Sequence, residues 1–150
     1  MGHTFTNHLY HIVFSTKYRK GLLEDRRRPD FHQYLWGFAQ TLDCAMLSVN
    51  SVGDHIHLLV RIRPSLAVSE FVGKLKANSS RWIKEQLDPP FGFQWQSGFS
   101  SFTVSQSAAA QVRDYIERQA EHHRRLTFEE ELKRFFERNG IEYDPQRCLD

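Results

Sequence analysis

Across residues 8–16 apolar side chains fall on every second position, Tyr10, Ile12 and Phe14, in a run rich in Ile, Val, Phe and Thr, and this spacing predicts a first strand. From about residue 24 to 42 the rhythm changes. Phe31, Tyr34, Leu35, Phe38 and Leu42 recur at the spacing of one helix face. Two extended runs, 45–52 and 55–62, are separated only by Gly53 and Asp54, a connection suited to a hairpin, and Pro64 stops the second run. Val68, Phe71, Val72, Leu75, Trp82 and Ile83 mark a second helix within 66–87, and 99–104 alternates as a fourth strand. Strand, helix, strand, strand, helix, strand is the order of the ferredoxin-like split βαβ arrangement, an α+β fold with helices packed on an antiparallel sheet. Two more helices are expected beyond this core. One runs from 107 to about 125 with Val112, Tyr115, Ile116 and Gln119 on one stripe; the other covers 128 to about 138 and is ended by Asn139-Gly140.

The 150 residues, 40% hydrophobic and 25% charged, suit a single domain spanning 1–150, with its core at about 5–105 and the added helices at about 107–140. No run approaches the ~20 apolar residues of a membrane span, and Met1 to Tyr10 lack the features of a secretory signal, so the expectation is a soluble, cytoplasmic protein with no membrane partner. Two cysteines, Cys44 and Cys148, make neither a disulfide scaffold nor a zinc knuckle and are read as buried or idle thiols. The stretch Asp88-Pro89-Pro90-Phe91-Gly92 reads as a loop. The net charge of +2 hides an asymmetry. Residues 1–81 carry 11 Lys and Arg against 6 Asp and Glu, and the remainder 9 against 12. Lys17, Arg19, Lys20, Arg26, Arg27, Arg28, Lys74, Lys76 and Arg81 in the basic half are candidates for phosphate contacts, or are simply solvated surface charge.

Two small constellations carry candidate chemistry. In Gly53-Asp54-His55-Ile56-His57-Leu58-Leu59-Val60 strand alternation puts His55 and His57 on one face, with Ile56, Leu58, Val60 and Ile62 on the other, entering the core. Neighbouring neutral imidazoles can hold one divalent ion; the plain alternative is a pair of half-exposed histidines on a sheet face. In Tyr115-Ile116-Glu117-Arg118-Gln119, Tyr115 and Gln119 are four apart, one helical turn on the same face. A phenol with a pKa near 10 needs help as a nucleophile, and a divalent cation supplies it. The same stripe also suits simple docking on the sheet.

Taken together these segments resemble the single-tyrosine histidine–hydrophobic–histidine (HUH) transposases of bacterial insertion sequences and their REP-associated relatives. His55-Ile56-His57 matches the HUH motif, and Tyr115 with Gln119 matches the catalytic helix. The likeness extends over nearly the whole chain: His11-Ile12-Val13-Phe14-Ser15-Thr16-Lys17-Tyr18-Arg19, Lys74-Leu75-Lys76 with Ser79-Ser80, Trp95-Gln96-Ser97-Gly98-Phe99, Phe102-Thr103-Val104-Ser105, His122-His123, and the tail from Phe128-Glu129-Glu130-Glu131 to Gly140-Ile141-Glu142-Tyr143-Asp144. Phe99 departs from the family, which often has tyrosine after Trp-Gln-x-Gly; no HUH, Tyr or Gln position is missing.

The resemblance implies a nuclease and strand transferase acting on single-stranded DNA. His55, His57 and Gln119 would be ligands of Mg²⁺ or Mn²⁺, and Tyr115 the nucleophile that forms a 5′-phosphotyrosine and releases a 3′-hydroxyl. It also implies a homodimer that recognises DNA hairpins at element ends, with Tyr115 serving its own or its partner's histidine pair. His122 and His123 lie three and four residues beyond Gln119, placed either as a further ligand or proton carrier or, more simply, as a cap on a charged helix end. Asp54 reads mainly as a turn residue. Trp82, Phe91, Phe93 and Trp95 offer flat side chains for unpaired bases. Two readings from other classes stand beside this one: a non-catalytic ferredoxin-like nucleic-acid-binding module, and a small metal hydrolase that forms no covalent intermediate.

Overall fold

A computed structural model describes residues 2–19, 25–89, 92–123 and 125–147. Lys20, Phe91, Arg124, Cys148 and the Arg19 side chain lie outside the described residues. Strand β1 (Leu9–Ser15), helix α1 (Arg28–Thr41), strands β2 (Ala45–Val52) and β3 (His55–Arg61), helix α2 (Val68–Leu87) and strand β4 (Ser100–Val104) follow in the expected order. The sheet runs β2-β3-β1-β4 with every pair antiparallel, which is the split βαβ arrangement. No helix among the described residues is long and apolar enough to cross a membrane.

Local chemistry accounts for the boundaries. Pro29 occupies the first turn of α1, where a missing N–H is harmless, and Asp43 takes a left-handed φ of 55° just after the helix. Asp88 ends α2 in the same region, and the following Pro89 has no N–H with which to continue it. Between β2 and β3, Gly53 adopts φ 48°, which glycine reaches without a Cβ clash. The pairing of β2 with β3 slips between Met46 and Ser48. That bulge lets Met46 and Val49, an odd number of residues apart, both face the same core.

The two faces of the sheet are covered by different elements. Ile12, Phe14, Ile56, Leu58 and Val60 face α1 and α2, meeting Phe31, Leu35, Phe71, Val72, Leu75 and Ile83 in the main core. The opposite face is closed by the C-terminal helices α3 (Ala109–Glu117), α4 (Gln119–His122) and α5 (Phe128–Arg138). Phe128, Leu132 and Phe136 pack on Val13 and Phe102, and Ala109 with Ile116 on Leu9 and Leu59. Helix α5 begins where expected because Thr127 Oγ1 accepts from the Glu130 N–H, with Glu129, Glu130 and Glu131 in the first turn and Arg138 in the last.

One expectation is corrected: the helix anticipated over 107–125 is not continuous. A short 3-10 turn at Gln106–Ala108 leads into α3, and the chain breaks at Arg118, whose φ of −98° and ψ of 24° separate α3 from α4. The cause lies in the sheet. Asn50 of β2 donates through Nδ2 to the carbonyls of Ile116 (2.9 Å) and Glu117 (3.2 Å), satisfying oxygens that a continuous helix would use itself.

Candidate active site

Alternation on β3 sends His55 and His57 to the face covered by α3, α4 and α5, so the two side chains expected to share a face do so. They are not half-exposed: His55 is 1% and His57 0% exposed. His11 of β1 joins them, because Leu59 opposite it is on the same face and its Nε2 lies 2.9 Å from His57 Nδ1. From α5, Glu131 brings a carboxylate that is 2% exposed into the same space.

The contacts converge. Glu131 Oε1 lies 2.9 Å from His57 Nε2, 3.4 Å from His123 Nε2 and 3.8 Å from His55 Nε2, and the two rings of His55 and His123 meet Nε2 to Nε2 at 2.9 Å. Tyr115 donates its hydroxyl to the other carboxylate oxygen, Oε2, in a short hydrogen bond. Gln119, fully buried, accepts through Oε1 from His123 Nε2 (3.0 Å), and its Nε2 faces the Tyr115 carbonyl at 3.4 Å. His122 stacks on the Tyr115 ring, centroids 4.3 Å apart. All of these side chains belong to one chain.

Charge follows from burial and neighbours. Desolvation pushes His57 down, opposed by Glu131, and pushes His11 down well below the ordinary range, so both rings are held neutral. Burial alone would raise Glu131, but hydrogen bonds from His123 and His57 outweigh it and hold the carboxyl far below the usual carboxylate range. Tyr115 moves up, first through burial and then through the Glu131 charge.

Among the described residues, His55, His57, His123 and Glu131 each offer one ligand atom, all within 4.8 Å of one another. Two ring nitrogens face to face leave at least one lone pair aimed into the cluster, and Glu131 adds an anionic oxygen; this donor set fits a divalent cation. Outer contacts orient the ligands. Asp54 Oδ1, 2.7 Å from His55 Nδ1, accepts the proton there and leaves Nε2 turned inward, while His11 Nε2 holds the His57 ring from behind through Nδ1 at 2.9 Å. Asp54 is therefore more than a turn residue, and His123, the residue that ends α4, turns its ring into the cluster.

Glu131 and His11 carry no role in the sequence reading. For Glu131 a signal existed: Phe128, Leu132, Phe135 and Phe136 form an apolar stripe, and a carboxylate at 131 falls in its middle. A charge on the buried face of a short helix needs partners.

The basic candidates are more dispersed. Lys17 and Lys76 line one surface cavity of about 380 Å³ with Ser80, Gln94, Trp95 and Gln96. Lys76 donates to the carbonyls of Gln96 and Gly98, and burial brings its pKa down to about 8, so it clamps the 96–98 segment. Arg27 pairs with Asp30 and Lys74 with Glu70. Lys74 and Arg81, seven apart on α2, are both exposed, as is Arg26, while Arg28 is half-buried. Phe93 and Trp95 are buried in the main core, and Trp82 stacks on Tyr34 between the helices, so these rings build the fold. Tyr18, 80% exposed with the Lys17 ammonium 5.4 Å from its ring, is the open aromatic at this end.

The comparisons with known proteins agree with one another. The family model described as IS200-like transposase matches residues 4–119. The transposases for insertion sequence element IS200 of Salmonella typhimurium and Salmonella typhi are each 34% identical over 126 residues, 81% of this chain and 82% of theirs. The ISDra2 transposase TnpA of Deinococcus radiodurans is 30% identical over 117 residues, 73% of this chain and 82% of its own. A crystal structure of a proposed transposase from Deinococcus radiodurans R1 superposes with a TM-score of 0.63 at 28% identity, covering 79% of this chain and 96% of that one. A REP-associated tyrosine transposase bound to a REP hairpin shares the fold, with a TM-score of 0.61 at 10% identity over 82% of this chain and 72% of its own.

Proposed function

Because the chain belongs to the IS200-like transposase family, whose members cleave and transfer DNA strands, we propose that it cuts and rejoins single-stranded hairpin DNA through a covalent bond to Tyr115. The observation that carries this reading is the convergence of the Tyr115 hydroxyl with His55, His57, His123 and Glu131 in one buried cluster. In the first step the Tyr115 oxygen attacks the scissile phosphorus and gives up its proton; the bond from phosphorus to the 3′-oxygen breaks, and that oxygen leaves as a 3′-hydroxyl. The 5′-phosphotyrosine keeps the energy of the broken phosphodiester, so another 3′-hydroxyl can displace Tyr115 and rejoin strands without ATP.

Burial and the Glu131 charge keep the phenol protonated, so the nucleophile is passive until charge is neutralised beside it. A bound Mg²⁺ or Mn²⁺ would stabilise the phenolate and polarise the phosphate. His55 and His57 would hold it, with His123 and Glu131 as the further donors in the cluster and Gln119, the family-matched position, beside His123. Asp54 and His11 hold the His55 and His57 rings from behind, and α5 keeps water from the rings. Lys17 and Tyr18 would take a phosphate and a base at the end of the sheet where β3 begins, with Arg26, Lys74 and Arg81 extending the phosphate track. The working unit in this reading is a homodimer in which each Tyr115 serves the histidine pair of its own chain.

The test is a denaturing gel of the protein with labelled single-stranded hairpin DNA and Mn²⁺. A covalent protein–DNA band that disappears in Tyr115→Phe is the expected result. Cleavage without that band would point to the hydrolase, and a mobility shift without cleavage to the binding module.

A further inference from the structure

We propose that Glu131 is a two-sided residue: its Oε1 is a metal ligand alongside His55, His57 and His123, while its Oε2 holds the Tyr115 hydroxyl, so that one carboxylate ties the nucleophile to the cation. The inference rests on the reading above only in taking Tyr115 as the nucleophile. The two oxygens have different surroundings. Oε1 faces three imidazole nitrogens at 2.9, 3.4 and 3.8 Å; Oε2 receives the phenol.

Helix α5 supplies the rigidity this task needs. Phe128 stacks on His55 with centroids 4.3 Å apart, and Phe135 meets His11 and Tyr115 edge-on at 4.9 and 5.5 Å. The Thr127 cap fixes the first turn, in which Glu131 sits. Charge adds a second reason. A carboxylate buried among imidazoles holds a charge that a divalent cation in the cluster would neutralise. Gln119 offers no such charge, and its oxygen is hydrogen-bonded to His123 Nε2. The proton that His123 Nε2 gives to Gln119 Oε1 must leave before that nitrogen can bond an ion, so Gln119 holds His123 in the metal-free chain, and Glu131 takes the ligand place the family pattern gives to the carboxamide.

The deciding experiment is a titration of the full chain with Mn²⁺ alone, read by the loss of free-ion electron paramagnetic resonance signal. Glu131→Gln keeps size and hydrogen-bonding capacity, and its Mn²⁺ affinity should fall on the order of 100-fold; a loss smaller than about tenfold overturns the proposal. Gln119→Ala should lose less than Glu131→Gln, and the reverse order also overturns it. If Glu131→Gln does not fold, crystals of the unsubstituted chain soaked in Mn²⁺ decide the point. The ion should bond to one Glu131 oxygen with the Tyr115 hydroxyl on the other; an ion bonded only to other groups overturns the idea. The titration contains no DNA, so its outcome and that of the covalent-adduct gel are independent.

Discussion

The same strands build two unlike interiors. Toward α1 and α2 the sheet presents Ile12, Phe14, Ile56, Leu58 and Val60, and the space is filled by aliphatic and aromatic side chains. Toward α3, α4 and α5, the alternate residues of β1 and β3 present His11, His55 and His57, met by His123, Gln119 and Glu131, with apolar contacts at the margins. Burial is nearly as deep on the second side, where His11, His55, His57, Gln119 and Glu131 are all buried; its consequence differs. On the first face burial drives folding. On the second it strips water from imidazoles and a carboxylate, which then depend on one another or on a cation. A period of two along a seven-residue strand is enough to keep stability and chemistry apart.

The sharpest way to break this contrast is to change one side chain on each face. Leu58→Ala leaves a cavity in the main core and should lower unfolding free energy by about 3–4 kcal/mol in urea titrations. Gln119→Leu, which substitutes apolar volume on the other face, should cost less than half of that while weakening Mn²⁺ binding. If both variants lost the same stability, the division of labour would be false.

A ligand sharpens the same comparison from the other direction. A cation that binds only the folded chain at 100 times its dissociation constant stabilises it by about 2.7 kcal/mol. Adding Mn²⁺ should therefore raise the melting temperature of the unsubstituted chain and of Leu58→Ala by similar free energies. The double variant His55→Ala/His57→Ala should gain nothing. A Mn²⁺ increment that survived in the double variant would place the ion elsewhere.

How far the sequence reveals these two faces depends on the range of the interactions involved. Strand alternation is local, so the shared face of His55 and His57, the hairpin at Gly53 and the split βαβ order are all visible in the pattern. The helix over 128–138 is equally visible, since its cap and its stripe lie within it. What is not visible comes from across the fold. The break at Arg118 is imposed by Asn50, 66 residues before Ile116, and nothing within 107–125 announces it. The burial of the histidines depends on helices that the pattern identifies but does not dock. Lys76, a phosphate candidate by charge alone, is claimed by the Gln96 and Gly98 carbonyls.

The Asn50 contact yields a smaller effect that bears on the chemical face alone. Asn50→Ala frees the carbonyls of Ile116 and Glu117 and should cost about 1–2 kcal/mol of stability. Because the break is what sets Tyr115 relative to Gln119 and His123, adduct formation should fall by more than that stability loss explains, on the order of tenfold. Equal adduct yields from the two proteins under conditions where both are folded would refute the link.

The smallest effect tests the apolar side. His32 of α1 reaches Ser51 on the face shared with Ile56, with Nε2 2.8 Å from the hydroxyl, and has no part in the cluster. Burial, helped by the Arg28 charge, lowers its pKa from 6.5 to about 4. Between those two values the unfolded chain binds a proton that the folded chain refuses, so stability is complete above about pH 6.5 and falls as pH drops toward 4. Allowing for its partial exposure, the loss is about 1 kcal/mol. Carboxylates and the buried histidines also titrate on this acid arm, so the measurement is a difference: urea unfolding of His32→Gln against the unsubstituted chain from pH 4 to 8. The gap between them should be flat above pH 7 and should close, or reverse in favour of the variant, by about 1 kcal/mol as pH falls to 4. Parallel curves would mean that His32 takes up its proton in the folded state as easily as in water, and that the apolar face tolerates charge after all.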